Sequence, residues 1–142
     1  MDLNDTEAWR VDLLSDQLTD DRLGFFMFAY GFSSFQFDQR ELFCSKMLRP
    51  QLERMDKFMA GVTYVAGETL TFVDFMFWEM LDVISLFDAA LFDKLENLKS
   101  YKTRFEAIPK VAEYRSSSEF MTAPICNRMA KWGGDAELTK SW

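Results

Sequence analysis

The stretch Phe75-Met76-Phe77-Trp78-Glu79-Met80-Leu81-Asp82-Val83-Ile84-Ser85-Leu86-Phe87 is apolar on nearly every side. A helix with that pattern belongs in the middle of a domain rather than on its surface. Its start is written in the residues just before, Gly67-Glu68-Thr69-Leu70-Thr71-Phe72-Val73-Asp74. Thr71 can cap and Asp74 sits three residues on, which is the spacing of a capping box. In that box the threonine oxygen accepts from the amide of Asp74, and the Asp74 carboxylate reaches back to the amide of Thr71. Two orphan donors are satisfied, and the acid sits at the positive helix end. Leu70 and Phe75 flank the box at staple positions, and Gly67 lets the chain turn ahead of it. Thr71 and Asp74 are therefore read as the structural cap of a central helix. As a bare pattern such a box marks a helix start far more often than a functional site.

The rest of the chain reads as helix too. Between residues 6 and 31 the apolar positions are Trp9, Leu13, Leu14, Leu18, Leu23, Phe26, Met27 and Tyr30. Their spacing of three and four, with one slip near Asp20, fits a long, gently bent helix. Gly31-Phe32-Ser33-Ser34 breaks it. A second helix is expected from about Gln36 to Met59, with Leu42, Phe43, Met47, Leu48, Leu52, Met55 and Met59 inward. Pro50 should kink or split it, and Gly61 should end it. The central helix follows from Phe72 to about Leu86. Short helices are expected near 90 to 95 and 98 to 107, and Pro109 opens another at a first-turn position. No window alternates as a strand would. The expected fold is all-α, a bundle of about five to six helices. Residues 1–142 form one domain with one core. Residues 1–5 read as a linker remnant and 134–142 as a mobile polar tail.

Composition then excludes several functions. The formal net charge is −7, which argues against nucleic acid and against an anionic membrane surface. The chain has no histidine, and its two cysteines, Cys44 and Cys126, form no CxxC pair. Soft metal sites, Ser-His-Asp triads and Cys-His pairs cannot be built from it. Calcium-loop spacing does not occur either, so no metal is expected. The amino end has no basic segment followed by an apolar one, and residues 75–87 are too short to span a bilayer. A reduced, cytoplasmic protein is expected. Phenylalanine numbers 15 and methionine 9, a mixture that suits an adaptable apolar pocket but equally a plain large-residue core.

Leu70-Thr71-Phe72-Val73-Asp74-Phe75 resembles the buried capping motif of the glutathione transferase C-terminal domain. Asn97-Leu98-Lys99 with Arg104-Phe105-Glu106-Ala107-Ile108-Pro109, and Tyr114 through Phe120, are similar to runs of the mu class. So is the tail Pro124-Ile125-Cys126-Asn127-Arg128-Met129-Ala130-Lys131-Trp132-Gly133. Arg10-Val11-Asp12 and Asp20 through Tyr30 fit the first helix of that domain. The likeness covers roughly residues 6 to 133. It implies the helical-bundle fold and one half of an enzyme. In that family a thioredoxin-like domain precedes this one and holds glutathione as a thiolate; no βαβ pattern stands before residue 6.

The site residues that follow are those the resemblance implies. Thr19, Arg22 and Leu23 fall at positions lining the pocket for the electrophile. Tyr30 falls on a tyrosine whose hydroxyl points toward it. Tyr30 and Arg22 could then steady developing charge. Asp20 matches an acid that reaches glutathione across a dimer, whereas Asp21 beside it reads as a solvated helix charge. Cys126 and Asn127 close the pocket from the tail, although an aromatic residue is common where Cys126 stands, which changes the pocket's shape. Trp132 packs the tail down. Cys44 reads as structural. Glutathione is a co-substrate, no cofactor is implied, and the partners are apolar electrophiles with a second copy or a thioredoxin-like domain.

Three functions stay open at this point. The chain is the electrophile-site half of a glutathione transferase, a stand-alone helical domain for protein association, or a non-catalytic binder of apolar ligands. Under the first reading, some of Leu18, Leu23, Phe26 and Ile125 should lie bare.

Overall fold

The structure, a computed structural model, describes residues 3–134. The expected tail at 134–142 therefore lies outside the described residues except for Gly134. Of the expected linker remnant, Asn4 and Asp5 already belong to the first helix. The Asn4 side chain accepts from the amides of Thr6 and Glu7, each at 3.0 Å, and Glu7 returns a bond to the Asn4 amide at 3.0 Å. This is a second capping box, with asparagine in the capping role.

Helix α1 spans Asp5–Ala29. Val11, Leu14, Leu18, Phe25 and Phe28 form its buried stripe, with Ala29 at its end. Of the apolar positions expected on this helix, Trp9, Leu13, Leu23 and Met27 are exposed instead. The helix carries two apolar stripes, and only one packs against the rest of the domain. Gly31, at φ 78°, ends α1 in the left-handed conformation that glycine adopts freely. The Phe32 amide bonds the Met27 carbonyl at 2.7 Å and the Gly31 amide that of Phe28 at 2.9 Å, the two bonds of a Schellman ending.

The second rod opens with a 3-10 turn at Phe37–Gln39 and continues as α2, Arg40–Phe43. A π-turn at Cys44–Leu48 follows, and then α3, Arg49–Phe58. Pro50 does not split the rod. The wide turn sits immediately before it, with the Arg49 amide reaching back to the Cys44 carbonyl, so a ring without an N–H is accommodated. Phe43, Leu48, Leu52, Met55 and Met59 are buried as expected, whereas Leu42 and Met47 face solvent. A continuous 3.6-residue period does not carry through a π-turn, so the inward positions shift phase there.

The central helix α4 spans Phe72–Phe87. It is less enclosed than its composition suggests. Val73, Asp74, Phe77, Met80, Leu81, Ile84 and Phe87 are buried, but Phe72 and Phe75 are 62% and 50% exposed. A 3-10 turn at Ala89–Phe92 leads to α5, Glu96–Glu106, and then to α6, Pro109–Ser116, which Pro109 opens. No residue at the start of α5 caps it with its own side chain. Asp56 of α3 does so across the fold, accepting from the Leu98 amide at 3.0 Å and from the Asn97 side chain at 2.9 Å. Among the described residues there are helices and no strand.

The core is largely aromatic. The Phe28 and Phe43 rings stack at 3.9 Å, and Phe25 meets Phe87 edge-on at 5.3 Å. Tyr101 and Phe77 join α5 to α4 at 5.0 Å.

Candidate active-site face

Asp74 is the polar centre of the fold. It is fully buried, and four donors converge on its carboxylate. The Thr71 amide lies at 2.8 Å and the Thr71 hydroxyl at 3.0 Å from Oδ2. The Val65 amide lies at 2.9 Å and the Tyr101 hydroxyl at 3.2 Å from Oδ1. A capping box is present, but its two arms are unequal. The Asp74 amide bonds the Thr71 carbonyl at 3.2 Å, and the Thr71 hydroxyl gives its proton to the carboxylate. The expected acceptor role of the threonine oxygen is thus secondary. Burial, followed by the charge of Asp74, pushes the Tyr101 phenol far above its usual range, so it stays a hydrogen donor. Thr71 and Asp74 together hold the start of α4.

The residues assigned to the electrophile side lie on α1 and the tail. Thr19, Leu23, Phe26 and Tyr30 recur at four, three and four residues, so they share one helix face. Thr19 is exposed, and its hydroxyl donates to the Ser15 carbonyl at 2.9 Å within the helix. Leu23 is 62% exposed. Asp20 is exposed. Arg22 is engaged by a residue the sequence reading gave no such role. Its guanidinium grips Glu79 of α4 with bonds of 2.8 and 3.3 Å, tying α1 to α4. Glu79 is exposed, so water could solvate it without a cation, and no local pattern announced the pair. Beside this clamp, Arg22, Phe26, Glu79 and Val83 line only a notch of about 10 Å³.

Tyr30 ends α1, and the tail folds back onto it. The Tyr30 hydroxyl accepts from the Asn127 amide at 3.1 Å, so these two assigned residues are brought together across the chain. The Lys131 amide bonds the Ala29 carbonyl at 2.7 Å. Trp132 is buried between Phe25 at 5.6 Å and Phe87 at 5.2 Å, packing the tail down. Cys126 does not line open space. It is buried, its amide bonded to the Gly133 carbonyl at 2.7 Å, and a Cβ at Gly133 would lie 3.4 Å from its sulfur. Burial pushes its thiol up, so it stays protonated and unreactive at neutral pH. Cys44 is likewise buried, and its thiol is raised by burial and then by Asp88.

Two further expectations need correction. Leu18 is completely buried, so it cannot belong to a bare surface. Asp21 is not a solvated charge. Its Oδ2 is buried without a partner, and burial raises its carboxyl above the usual range. No group of side chains among the described residues could hold a metal ion.

What this arrangement can supply is an apolar helix face, a half-buried hydroxyl at its end and a cationic clamp beside it. Comparison with known proteins gives that face a context. Residues 20–118 match the family model of the glutathione S-transferase C-terminal domain. Glutathione S-transferase Mu 5 of Mus musculus is 36% identical over 127 residues, covering 89% of this chain and 55% of the relative. Glutathione S-transferase Mu 3 of Homo sapiens shows the same identity and coverage. Glutathione S-transferase Mu 6 of Mus musculus is 33% identical over 129 residues, covering 91% of this chain and 58% of the relative. The chain spans little more than half the length of these relatives. With its helical bundle, its buried cap and this match, the chain belongs to the glutathione S-transferase family through that family's C-terminal domain.

Proposed function

We propose that this chain provides the electrophile side of a glutathione transferase, acting with a thioredoxin-like domain that holds glutathione. The observation that carries the reading is the Tyr30–Asn127 bond at 3.1 Å. It joins the end of α1 to the returning tail, the two segments to which the family resemblance assigns the pocket. Thr19, Leu23 and Phe26 would offer an apolar wall along the same helix face, and Tyr30 a hydroxyl for developing charge. Arg22, held by Glu79, would keep a fixed positive charge at its edge. Asn127 would close the wall from the tail, with the buried Cys126 behind it. Asp20, exposed on α1, would reach glutathione held by a second copy. The setting we propose is cytoplasmic. No described helix is long and apolar enough to cross a membrane.

Protein association is the second reading, and one observation favours it. Trp9, Leu23 and Phe72 are each at least 60% exposed, large apolar side chains that a partner surface could cover. Both readings are addressed by one experiment on the purified chain. Mixed with glutathione and a general aromatic electrophile, the chain alone is expected to give the uncatalysed rate. Sedimentation should show self-association, suppressed when a separately expressed mu-class thioredoxin-like domain is added. A glutathione-saturable rate from the chain alone would overturn the half-enzyme reading. A strictly monomeric chain indifferent to the added domain would count against both readings.

A further inference from the structure

Helix α6 is weakly held by packing. Val111 is its one buried residue, and Tyr114 is 51% exposed. Ile108, just ahead of the helix, is only partly buried. On one side α6 forms a wall of an open apolar groove of about 740 Å³, which Leu70, Phe75, Trp78 and Phe105 also line.

One carboxylate ties this helix down. Glu106 is the last residue of α5, and three helices donate to it. The Trp78 indole of α4 lies 3.0 Å from Oε1, and the Lys102 ammonium of α5 lies 3.1 Å from the same oxygen. Arg115 of α6 lies 2.9 Å from Oε2. Lys102 also pairs with Asp82 of α4 at 2.8 Å. The Arg115 guanidinium stands over the Trp78 ring at 5.3 Å and over Phe120 at 5.8 Å. Its Nε is buried and bonds nothing, so its polar hold rests on Glu106. The pair Lys110–Glu113 stays within α6, and among the described residues no other ion pair joins α6 to the rest of the domain. A lone exposed pair would contribute little, but these four charged groups are half-buried and share partners, so losing one leaves the others short.

We propose that Glu106 is a latch: it holds α6 closed as the movable wall of the groove, and α6 opens as a unit when the Glu106 charge is lost. Helices α4 and α5 stay folded meanwhile, because Phe77, Tyr101 and Phe105 join them in the core without α6. A segment that buries little and rests on one polar tie opens before the core does. Burial disfavours the Glu106 charge. The bonds from Trp78 and Lys102 and the charges of Lys102 and Arg115 outweigh it, so the carboxyl lies below its usual range. The hold is therefore complete above the usual carboxylate range and is lost as the pH falls through the lower native value.

The test follows amide exchange of the full chain, read as protection factors for residues 112–116 of α6 and 99–103 of α5. Glu106→Gln keeps an acceptor for the Trp78 indole but gives up its charge toward Lys102 and Arg115. It is expected to lower protection in α6 on the order of tenfold at pH 7, the size of effect for losing a charged hydrogen bond, and to leave α5 protected. Wild type should lose the same protection in α6 on acidification below about pH 4, ahead of α5, so that the two proteins converge. Val111→Ala, which weakens packing alone, should lower protection in α6 at pH 7 and keep the further loss in acid. Equal protection of α6 in wild type and Glu106→Gln at pH 7 would overturn the proposal. The acid titration of wild type decides even if the variant unfolds: loss of α5 and α6 protection together would mean that α6 opens only with the core.

Discussion

Asp74→Ala is expected to lower the stability of the domain by about 3–5 kcal/mol, the range for stripping buried donors of a charged acceptor. The cap alone is worth about 1–2 kcal/mol. The rest comes from the Val65 amide and the Tyr101 hydroxyl, both buried donors that would face no carboxylate. Tyr101 keeps its bond to the Asp74 carbonyl at 3.0 Å, so its loss is partial. Asp74→Asn should recover little. One of its two positions must become an NH₂, and each oxygen of the present carboxylate already receives two donors. Urea unfolding followed by circular dichroism measures this against Asp16→Ala, an exposed substitution expected within about 0.5 kcal/mol of wild type. Coincident midpoints for Asp74→Ala and Asp16→Ala would refute the role given to Asp74.

Trp132→Ala should cost nearly as much, about 3–5 kcal/mol, the usual range for deleting a buried aromatic side chain. The indole is 3% exposed and fills the space between Phe25 and Phe87. Its removal should free the tail, so the Asn127 amide loses the Tyr30 hydroxyl. Trp132→Phe separates packing from polarity. The indole Nε1 has no hydrogen-bond partner, so phenylalanine gives up volume alone and should cost less than half as much. Thermal midpoints of the two variants, with amide exchange at Asn127, measure both effects. An alanine variant as stable as the phenylalanine variant would show that the ring does not clasp the tail.

The helix starts were legible because their signals are local. Thr71 with Asp74 and Pro109 announced α4 and α6 within a few residues of sequence. Asn4 with Glu7 carries the same spacing and passed unread because asparagine replaces the more familiar hydroxyl. Which face of α1 is buried was not legible. Leu13 and Leu14, or Leu23 and Phe25, are equally apolar, and only the position of α4 chooses between them. The π-turn ahead of Pro50 defeated the inward assignment of Leu42 and Met47 for a similar reason, since periodicity assumes one constant turn. At the candidate site, Tyr30 and Asn127 came from the family resemblance, and the fold brings them together. The Arg22–Glu79 clamp joins residues 57 apart, and the Asp56 cap of α5 joins residues 42 apart. No local pattern encodes such pairs. The burial of polar atoms at Asp21 and Gln51 was missed because each residue alone looks like an ordinary polar position on a helix.

The clasp of the tail on α1 also sets a timetable for synthesis. Phe25 and Tyr30 leave the ribosome ahead of their partners Trp132 and Asn127, by 97 residues for the Tyr30 pair. At about 5–20 residues per second, that interval is roughly 5–20 s. Throughout it Phe25 can already pack on Phe43 and Phe87, but its contact with Trp132 and the Tyr30–Asn127 bond must wait. The clasp is therefore the last of these contacts to close, however quickly each helix forms.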